Sequence, residues 1–152
     1  MAIVFLDART STNATTANSI NVPTTNGYVL YAQVGLNVSP ADISLPIRVE
    51  FNGMTTLKLS QGATNFSNLI EVKIVRGTDP NNAAVFSGIA TIVGNGAELG
   101  PLEYTFGASD YNPPKGNGLL VYSGFIRNVT GSSESDVTRV GPETFNAIAI
   151  GN

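Results

Sequence analysis

Apolar and polar residues alternate with a period of two along most of this 152-residue chain. The alternation is clearest where Ile70, Val72 and Ile74 are separated by Glu71 and Lys73, so that one face is apolar and the other is charged. This pattern predicts a β-strand with one buried face and one wet face. Further strands are predicted at 28–38, 47–51, 57–59, 84–93, 99–106, 119–127, 136–140 and 144–150, with a turn at Asn52-Gly53.

Glycine and proline separate these segments, and the densest turn signal is Gly77–Asn82. No window of a dozen residues free of Gly and Pro has the apolar spacing of an amphipathic helix. Short strands that recur every 10–15 residues or so are typical of sandwiches and barrels. The sequence therefore predicts an all-β fold, an antiparallel jelly-roll β-sandwich of about eight or nine strands.

The N-terminal region departs from this pattern. A short apolar run is followed by residues 8–19, which are small and polar and have no apolar period. Extended at about 3.3 Å per residue, such a spacer spans about 40 Å. We predict an N-terminal connector at 1–19 and a jelly-roll domain at 20–152. The connector's strand at 2–7 holds Ala2, Ile3, Val4, Phe5 and Leu6, and its flexible spacer at 8–19 holds Arg9, Thr10, Asn13 and Thr16.

The apolar run needs a place of burial, because an exposed β-prone segment pairs with any open sheet edge. One alternative is an edge strand folded back onto its own sheet. The other is a donor strand that completes the sheet of a neighbouring copy. The twelve-residue spacer favours the donor strand, because folding back needs only a few connecting residues. A head-to-tail contact of this kind that does not close into a ring produces a filament.

Composition removes most enzyme classes. The chain has no Cys and no His, which excludes disulfides, thiolate catalysis, Cys-type zinc sites and the commonest general base. Eight basic residues without a cluster, at a net charge of −3, argue against nucleic-acid binding. We expect no enzyme activity, no cofactor and no metal site. The N-terminus has no signal-peptide pattern and no segment resembles a membrane helix, so we expect synthesis in the cytoplasm.

A few weaker candidate sites remain. Asp79 and Asp110 are predicted to lie in turns, where binding backbone amides is favoured over a glycosidase-like carboxylate pair. Tyr111 on a loop is a candidate for stacking on sugar. The segments 94–96 and 116–118 are predicted turns, and 132–136 is predicted to be a solvated loop. The strands at 84–93 and 119–127 are apolar on both faces, which favours burial between subunits over covering within one chain.

Three segments, Phe5–Thr16, Ile74–Pro80 and Arg139–Asn146, resemble small structural proteins of the Bacillus spore surface. The chain is similar to exosporium proteins and to fibre subunits of endospore appendages. The resemblance implies a jelly-roll subunit whose N-terminal connector enters the next copy and builds a pilus-like, helical fibre. It also implies synthesis in the mother cell, exposure on the spore surface, and contact with an anchoring protein and a tip adhesin.

This sequence departs from that family in one respect, because the better-known appendage subunits carry cross-linking cysteines and this chain has none. Cohesion would have to come from strand pairing and apolar burial. Two other interpretations stay open: a trimeric coat or adhesin protein of the tumour-necrosis-factor or C1q kind, and a viral capsid or tail jelly roll. In the trimer, the N-terminus would stay with its own subunit.

Overall fold

The computed structural model describes residues 3–42, 44–94, 101–129 and 136–151, and in these ranges every regular element is a β-strand. The predicted all-β class is confirmed. The ten strands are β1 (Val4–Ala14), β2 (Val22–Pro23), β3 (Val29–Asn37), β4 (Ile47–Leu59), β5 (Ser67–Arg76), β6 (Ala84–Val93), β7 (Leu102–Tyr111), β8 (Leu119–Asn128), β9 (Val137–Arg139) and β10 (Glu143–Gly151).

The strands form two antiparallel sheets that pack against each other as a β-sandwich. Sheet A has β1, β10, β4 and β7 side by side, and the short β9 continues the line of β10 and pairs with both β4 and β2. Sheet B has the order β3, β8, β5, β6. At one side of the sandwich β1 lies next to β3, and at the other β7 lies next to β6.

The core forms between the sheets from the inward positions of alternating strands. On β10, Phe145, Ala147 and Ala149 are buried while the residues between them face outward. The rings of Phe51 and Phe145 stack with centroids 5.7 Å apart, and Tyr122 meets Phe51 edge to face. The apolar alternation read from the sequence thus marks the buried face of each sheet.

The predicted turn at Asn52-Gly53 is wrong, because β4 runs unbroken from Ile47 to Leu59 through both residues. The glycine serves close packing. A Cβ atom on Gly53 would lie 2.4 Å from Cζ of Phe106 and 2.9 Å from the Tyr31 hydroxyl. Gly53 therefore leaves room for two aromatic side chains above the middle of a strand.

The predicted alternation of β3 also changes partway along the strand. A β-bulge between Leu30 and Ala32 shifts the register against β8, so that Tyr31 and Ala32 are both buried and Leu30 is exposed. A bulge adds one residue to one strand and redirects the side chains beyond it. This brings the Tyr31 ring into the core against Phe106 and Phe145.

The charged face of β5 is not fully wet. Glu71 is buried, and its carboxylate accepts hydrogen bonds from the side chains of Arg127 (2.7 Å), Ser87 (2.9 Å) and Tyr28 (3.0 Å). Burial alone would raise the pKa of Glu71, but these donors hold it below its ordinary value. The outer face of sheet B therefore carries a polar network beneath Tyr28 that the alternation did not predict.

The two strands that are apolar on both faces differ in how they are covered. On β8, Phe125 is buried by its own chain, with the Tyr28 ring packed edge to face at 6.2 Å. On the outer face of β6, Ile89 and Val93 remain exposed. For Phe125 the covering comes from within the subunit, contrary to the expectation.

Candidate assembly site

The N-terminal segment forms the edge strand of sheet A in its own chain. β1 pairs with β10 in antiparallel register from Val4 opposite Gly151 to Ala14 opposite Glu143. The predicted boundary between connector and domain therefore differs from the structure, because residues 8–14 of the expected flexible spacer are in a strand. Their small polar side chains made this stretch resemble a linker, although the strand they form has a defined partner.

One face of β1 extends a ladder of hydroxyl and amide groups on the outside of sheet A. The Thr10 hydroxyl donates to Oδ1 of Asn146 at 2.8 Å, and the Thr12 and Thr144 hydroxyls lie 3.1 Å apart. Asn146 in turn donates to Oδ1 of Asn52 on β4 at 2.8 Å. Cross-strand pairs of this kind fix the register of β1 on β10.

The other face of β1 contacts the edge strand β3 of sheet B. Asp7 Oδ2 accepts the Asn37 backbone N–H at 2.8 Å, and Ser11 Oγ accepts that of Gln33 at 3.4 Å. Asn13 donates its side-chain amide to the Tyr31 carbonyl. An open sheet edge invites pairing with another chain. Side chains of β1 bind three backbone groups on this edge without forming a backbone ladder.

The C-terminal end of β1 is held by a buried ion pair. Arg139 and Glu143 are 4% and 0% exposed and bind each other through two hydrogen bonds, one of them 2.8 Å from Arg139 Nε to Glu143 Oε2. Asn13 donates to Oε1 of the same carboxylate at 2.8 Å, and Thr55 on β4 donates to Oε2 at 2.8 Å. Glu143 therefore joins its own strand, β10, to β1 and β4 on either side.

The N-terminal end of β1 carries the apolar residues predicted to join subunits. Ile3, Val4 and Phe5 are exposed, while Leu6 lies at a β-bulge and packs against the core. Ala2 lies outside the described residues. Among the described donor residues, Leu6 therefore anchors the strand, while Ile3, Val4 and Phe5 remain exposed.

The link from β1 to the rest of the domain is short. Thr16 follows β1 in a turn where its carbonyl accepts the Ser19 hydroxyl at 2.7 Å, and Asn18 has a left-handed φ of 55°. The Ile20 N–H then donates to the Val140 carbonyl at 3.3 Å. Of the predicted spacer, the non-strand part begins at Thr15.

Removal of the Asp7 carboxylate tests whether β1 protects β3. We expect Asp7→Ala to destabilise the fold by about 1 kcal/mol, because the Asn37 N–H loses its acceptor. The backbone N–H of Asn37 lowers the pKa of Asp7, and so do Arg9 and the Ala8 N–H. The Asn37 amide should exchange faster with deuterium in NMR measurements.

Asp42→Ala is the matched control, because Asp42 caps the Ser44 turn and has no bond to β3. Unchanged exchange at Asn37 in Asp7→Ala would show that Asp7 does not protect this edge.

The two candidate carboxylates have structural partners. Asp79 accepts the Asn81 N–H at 2.8 Å in a turn, as expected for it. Asp110 instead lies in β7, where Arg76 binds both of its oxygens at 2.7 Å and the Tyr122 hydroxyl donates to Oδ2 at 2.8 Å. The turn prediction for Asp110 is wrong, because a bidentate arginine replaces turn amides as its partner.

The remaining sequence candidates have mixed outcomes. Gly116 and Gly118 have positive φ angles in a turn, while Asn95, Gly96 and residues 132–135 lie outside the described residues. Asp136, expected in a solvated loop, is buried and accepts the Thr64 N–H at 2.9 Å. Tyr111 is 66% exposed at the end of β7, beside a surface groove that Pro113 and Pro114 help to line.

Sequence reasoning assigned Asn13 to a flexible spacer and did not single out Asp7 or Ser11, so it missed the role of these polar residues in positioning β1. Asp7, Ser11 and Asn13 share the period of two that marks a strand, so their spacing was the available signal. Within the described ranges, no group of three carboxylates could hold a metal ion. The same ranges contain no helix long and apolar enough to cross a membrane.

Comparisons with known proteins identify no family. Neither a protein-family model nor a curated protein matches the chain. A structure of an arabinose-bound MgGH51 α-L-arabinofuranosidase is similar with a TM-score of 0.33 and 8% identity, covering 99% of this chain and 22% of that one. The native virion of Kashmir bee virus at acidic pH gives a TM-score of 0.26 and 11% identity, covering 99% and 70%. Neither similarity is high enough to carry an argument about function.

Proposed function

We propose that this chain is a non-enzymatic structural subunit that assembles with copies of itself into a fibre. The observation that carries the proposal is the construction of β1. It is an edge strand with eleven residues and exposed apolar residues at its start, and its polar contacts to the rest of the domain are ones that any copy of the chain would offer. A spore-surface location, an anchoring protein and a tip adhesin remain part of the proposal through the resemblance of the sequence.

The strand order supports a jelly-roll subunit. In each sheet most neighbours come from distant parts of the chain, since β1 pairs with the last strand and β3 pairs with β8. Apart from the β5–β6 pair, successive long strands lie in opposite sheets, as in folds built from Greek keys. In this arrangement the first strand lies at an edge and can be supplied by a neighbour without breaking the order of the others.

Exchange of β1 between copies is the proposed joining step. The β1 strand would leave its own β10 and pair with β10 of the next subunit, where the same contacts to Asn146, Glu143 and Asn37 would form. The link at 15–21 has seven residues and reaches about 23 Å when extended. A strand given to one neighbour and received from another makes a head-to-tail contact that extends into a filament.

A disulfide across β1 and β10 tests this step directly, because the natural chain has no Cys. Thr12 and Thr144 are opposite each other with their hydroxyls 3.1 Å apart, so Thr12→Cys with Thr144→Cys places two thiols in bonding position. Fibres assembled from this variant and then oxidised should give a ladder of linked chains on a denaturing gel without reductant.

The control pair is Asn52→Cys with Asn146→Cys, which joins β4 to β10 within the body of the domain. This pair should give only single chains. The proposal would be overturned if the Thr12 and Thr144 pair also gave only single chains. It would equally be overturned if the wild-type protein formed no fibres in electron micrographs.

A discrete coat subunit is the second candidate function. The observation in its favour is that β1 lies on its own chain with every polar side chain from Thr10 to Asn13 bonded there. In that case the assembly would be compact and β1 would stay on its own subunit. The oxidised Thr12 and Thr144 pair would then run as single chains while the native protein sediments as a small oligomer.

A further inference from the structure

The outer face of sheet A carries two adjacent rows of residues at the end where β1 begins. Strand pairing aligns Phe5, Ile150, Arg48 and Tyr111 across β1, β10, β4 and β7. The next row along the same strands is Ala8, Ile148, Glu50 and Ser109. These eight positions form what we call the end face.

The end face exposes large apolar side chains on either side of the charged positions Arg48 and Glu50 of β4. Phe5 is 65% exposed, Tyr111 is 66% exposed and Ile148 is 39% exposed. Single exposed apolar residues are ordinary. Here Phe5 and Ile148 lie on the neighbouring strands β1 and β10, and Tyr111 lies two strands from Ile148 on the same sheet face, so the exposed apolar residues and the charges between them share one surface.

The end face has one pair of opposite charges at its centre. Arg48 and Glu50 lie two residues apart on β4, with Arg48 Nε 2.9 Å from Glu50 Oε1 and both side chains nearly half exposed. The next two rows along the same strands contain no charged residue. They are Thr10, Asn146, Asn52 and Gly107, followed by Thr12, Thr144, Met54 and Thr105.

We propose that two copies of this chain dock through their end faces about a two-fold axis that runs between the two rows, across the strands. Such an axis places each row of one copy over the other row of its partner. Arg48 then faces Glu50 of the second copy twice. Ile150 faces Ile148, and the large Phe5 and Tyr111 face the small Ala8 and Ser109.

Every position in this arrangement meets a complementary one. Both charges gain an opposite partner, and both aromatic rings gain a small residue to lie against. A two-fold contact uses the same patch on both subunits, so a patch must be complementary to itself, and the end face is. The twist of packed sheets turns them by about 30°, which leaves the central Arg48–Glu50 and Ile150–Ile148 pairs opposite each other.

This contact does not rest on exchange of β1. Whichever copy supplies β1, Phe5 and Ala8 occupy the same places beside β10. Charge changes at Arg48 and Glu50 lie on β4, which stays in the body of the domain and does not pair with β1. The disulfide ladder described above therefore reports on strand exchange, while the charge variants report on the end face.

Charge reversal and mixing test the proposed contact. Sedimentation velocity over a concentration series should show a dimer of the wild-type chain. Arg48→Glu alone and Glu50→Arg alone should each raise the dimer dissociation constant about tenfold or more, because like charges then face each other twice. An equimolar mixture of the two variants should recover the dimer, since the two acidic side chains of one variant then face the two basic side chains of the other. A double variant that carries both substitutions should recover it as well.

Thr105→Glu is the matched control, because it adds a charge to an exposed position of the same sheet face outside the end face. It should leave the dissociation constant unchanged. Near-ultraviolet circular dichroism of each variant establishes that the fold is retained. A wild-type chain that does not dimerise, or single variants that do not recover on mixing, would refute the proposal, since a purely internal Arg48–Glu50 pair cannot be restored by a second chain.

Discussion

Replacement of Arg139 by methionine is expected to lower the free energy of unfolding by about 3–5 kcal/mol, because it leaves the buried Glu143 carboxylate without a counter-charge. Glu143 is fully buried and binds Arg139 through two hydrogen bonds. Methionine fills much of the same volume, so the loss measures the missing charge rather than a cavity. Urea denaturation followed by circular dichroism gives the free energy.

Arg9→Met is the matched control, because Arg9 forms an ion pair with Asp7 at 3.1 Å on the surface, where its side chain is 57% exposed. Exposed pairs contribute about 1 kcal/mol or less. Equal losses in the two variants would mean that the buried pair is not the element that holds β1, β4 and β10 together.

The change of stability with pH that Glu143 causes should have opposite signs in the native protein and in Arg139→Met. Burial would raise the pKa of Glu143, but the hydrogen bond and charge of Arg139, with Asn13 and Thr55, hold it below the ordinary value of 4.5. In the native protein this stabilisation is complete above the pKa of the unfolded chain. It is lost as the pH falls through the lower pKa of the folded state.

In Arg139→Met the opposing charge is gone and burial raises the pKa of Glu143. The variant is therefore expected to be least stable near neutral pH and to approach the native protein as the pH falls toward about 3. A stability difference that stays constant from about pH 7 to about pH 3 would contradict this account.

Replacement of Gly53 by alanine is expected to lower the free energy of unfolding by about 1–3 kcal/mol. The added methyl group would lie 2.4 Å from the Phe106 ring and 2.9 Å from the Tyr31 hydroxyl. Phe106 packs against Phe86 and Phe145. A shift of its ring therefore disturbs the contact between the two sheets.

Gly107→Ala provides a control next to it in the sheet, since Gly107 pairs with Asn52 and its nearest atom to an added Cβ is the Phe51 carbonyl oxygen at 3.7 Å. This substitution should change stability little or raise it slightly, because alanine restricts the unfolded chain. A thermal melt that shows equal changes for both glycines would mean that the rings above Gly53 move aside without cost.

The buried faces of the strands could be predicted from the sequence because their signal is local. On β5, Ile70, Val72 and Ile74 alternate with polar residues and all three face the core. Deviations arose where packing between distant segments overrode that pattern. Gly53 was predicted to lie in a turn, because the rings from β3 and β7 that cover it belong to distant segments. The bulge near Tyr31 likewise depends on the partner strand β8.

The candidate assembly site was harder to predict, because its polar residues have partners far along the chain. Ser11 bonds to Gln33, Asn13 to Glu143, and Thr10 to Asn146. The composition of residues 8–19 is typical of a linker, and no residue within a dozen positions indicates what their hydroxyl and amide groups bind. The apolar start of β1 was visible, and a strand folded back onto its own sheet was one of the two alternatives, but β10 was not predicted as its partner.

The two-sided bonding of β1 restricts how this part of the gene can change in length. One residue inserted between Asp7 and Asn13 would turn the side chains beyond it to the opposite face, so those that close the β3 edge would point at solvent. Substitutions among Ser, Thr and Asn leave that alternation intact, whereas a single-codon insertion or deletion destroys it. An epitope tag should accordingly be tolerated ahead of Ile3 and rejected anywhere from Asp7 to Asn13.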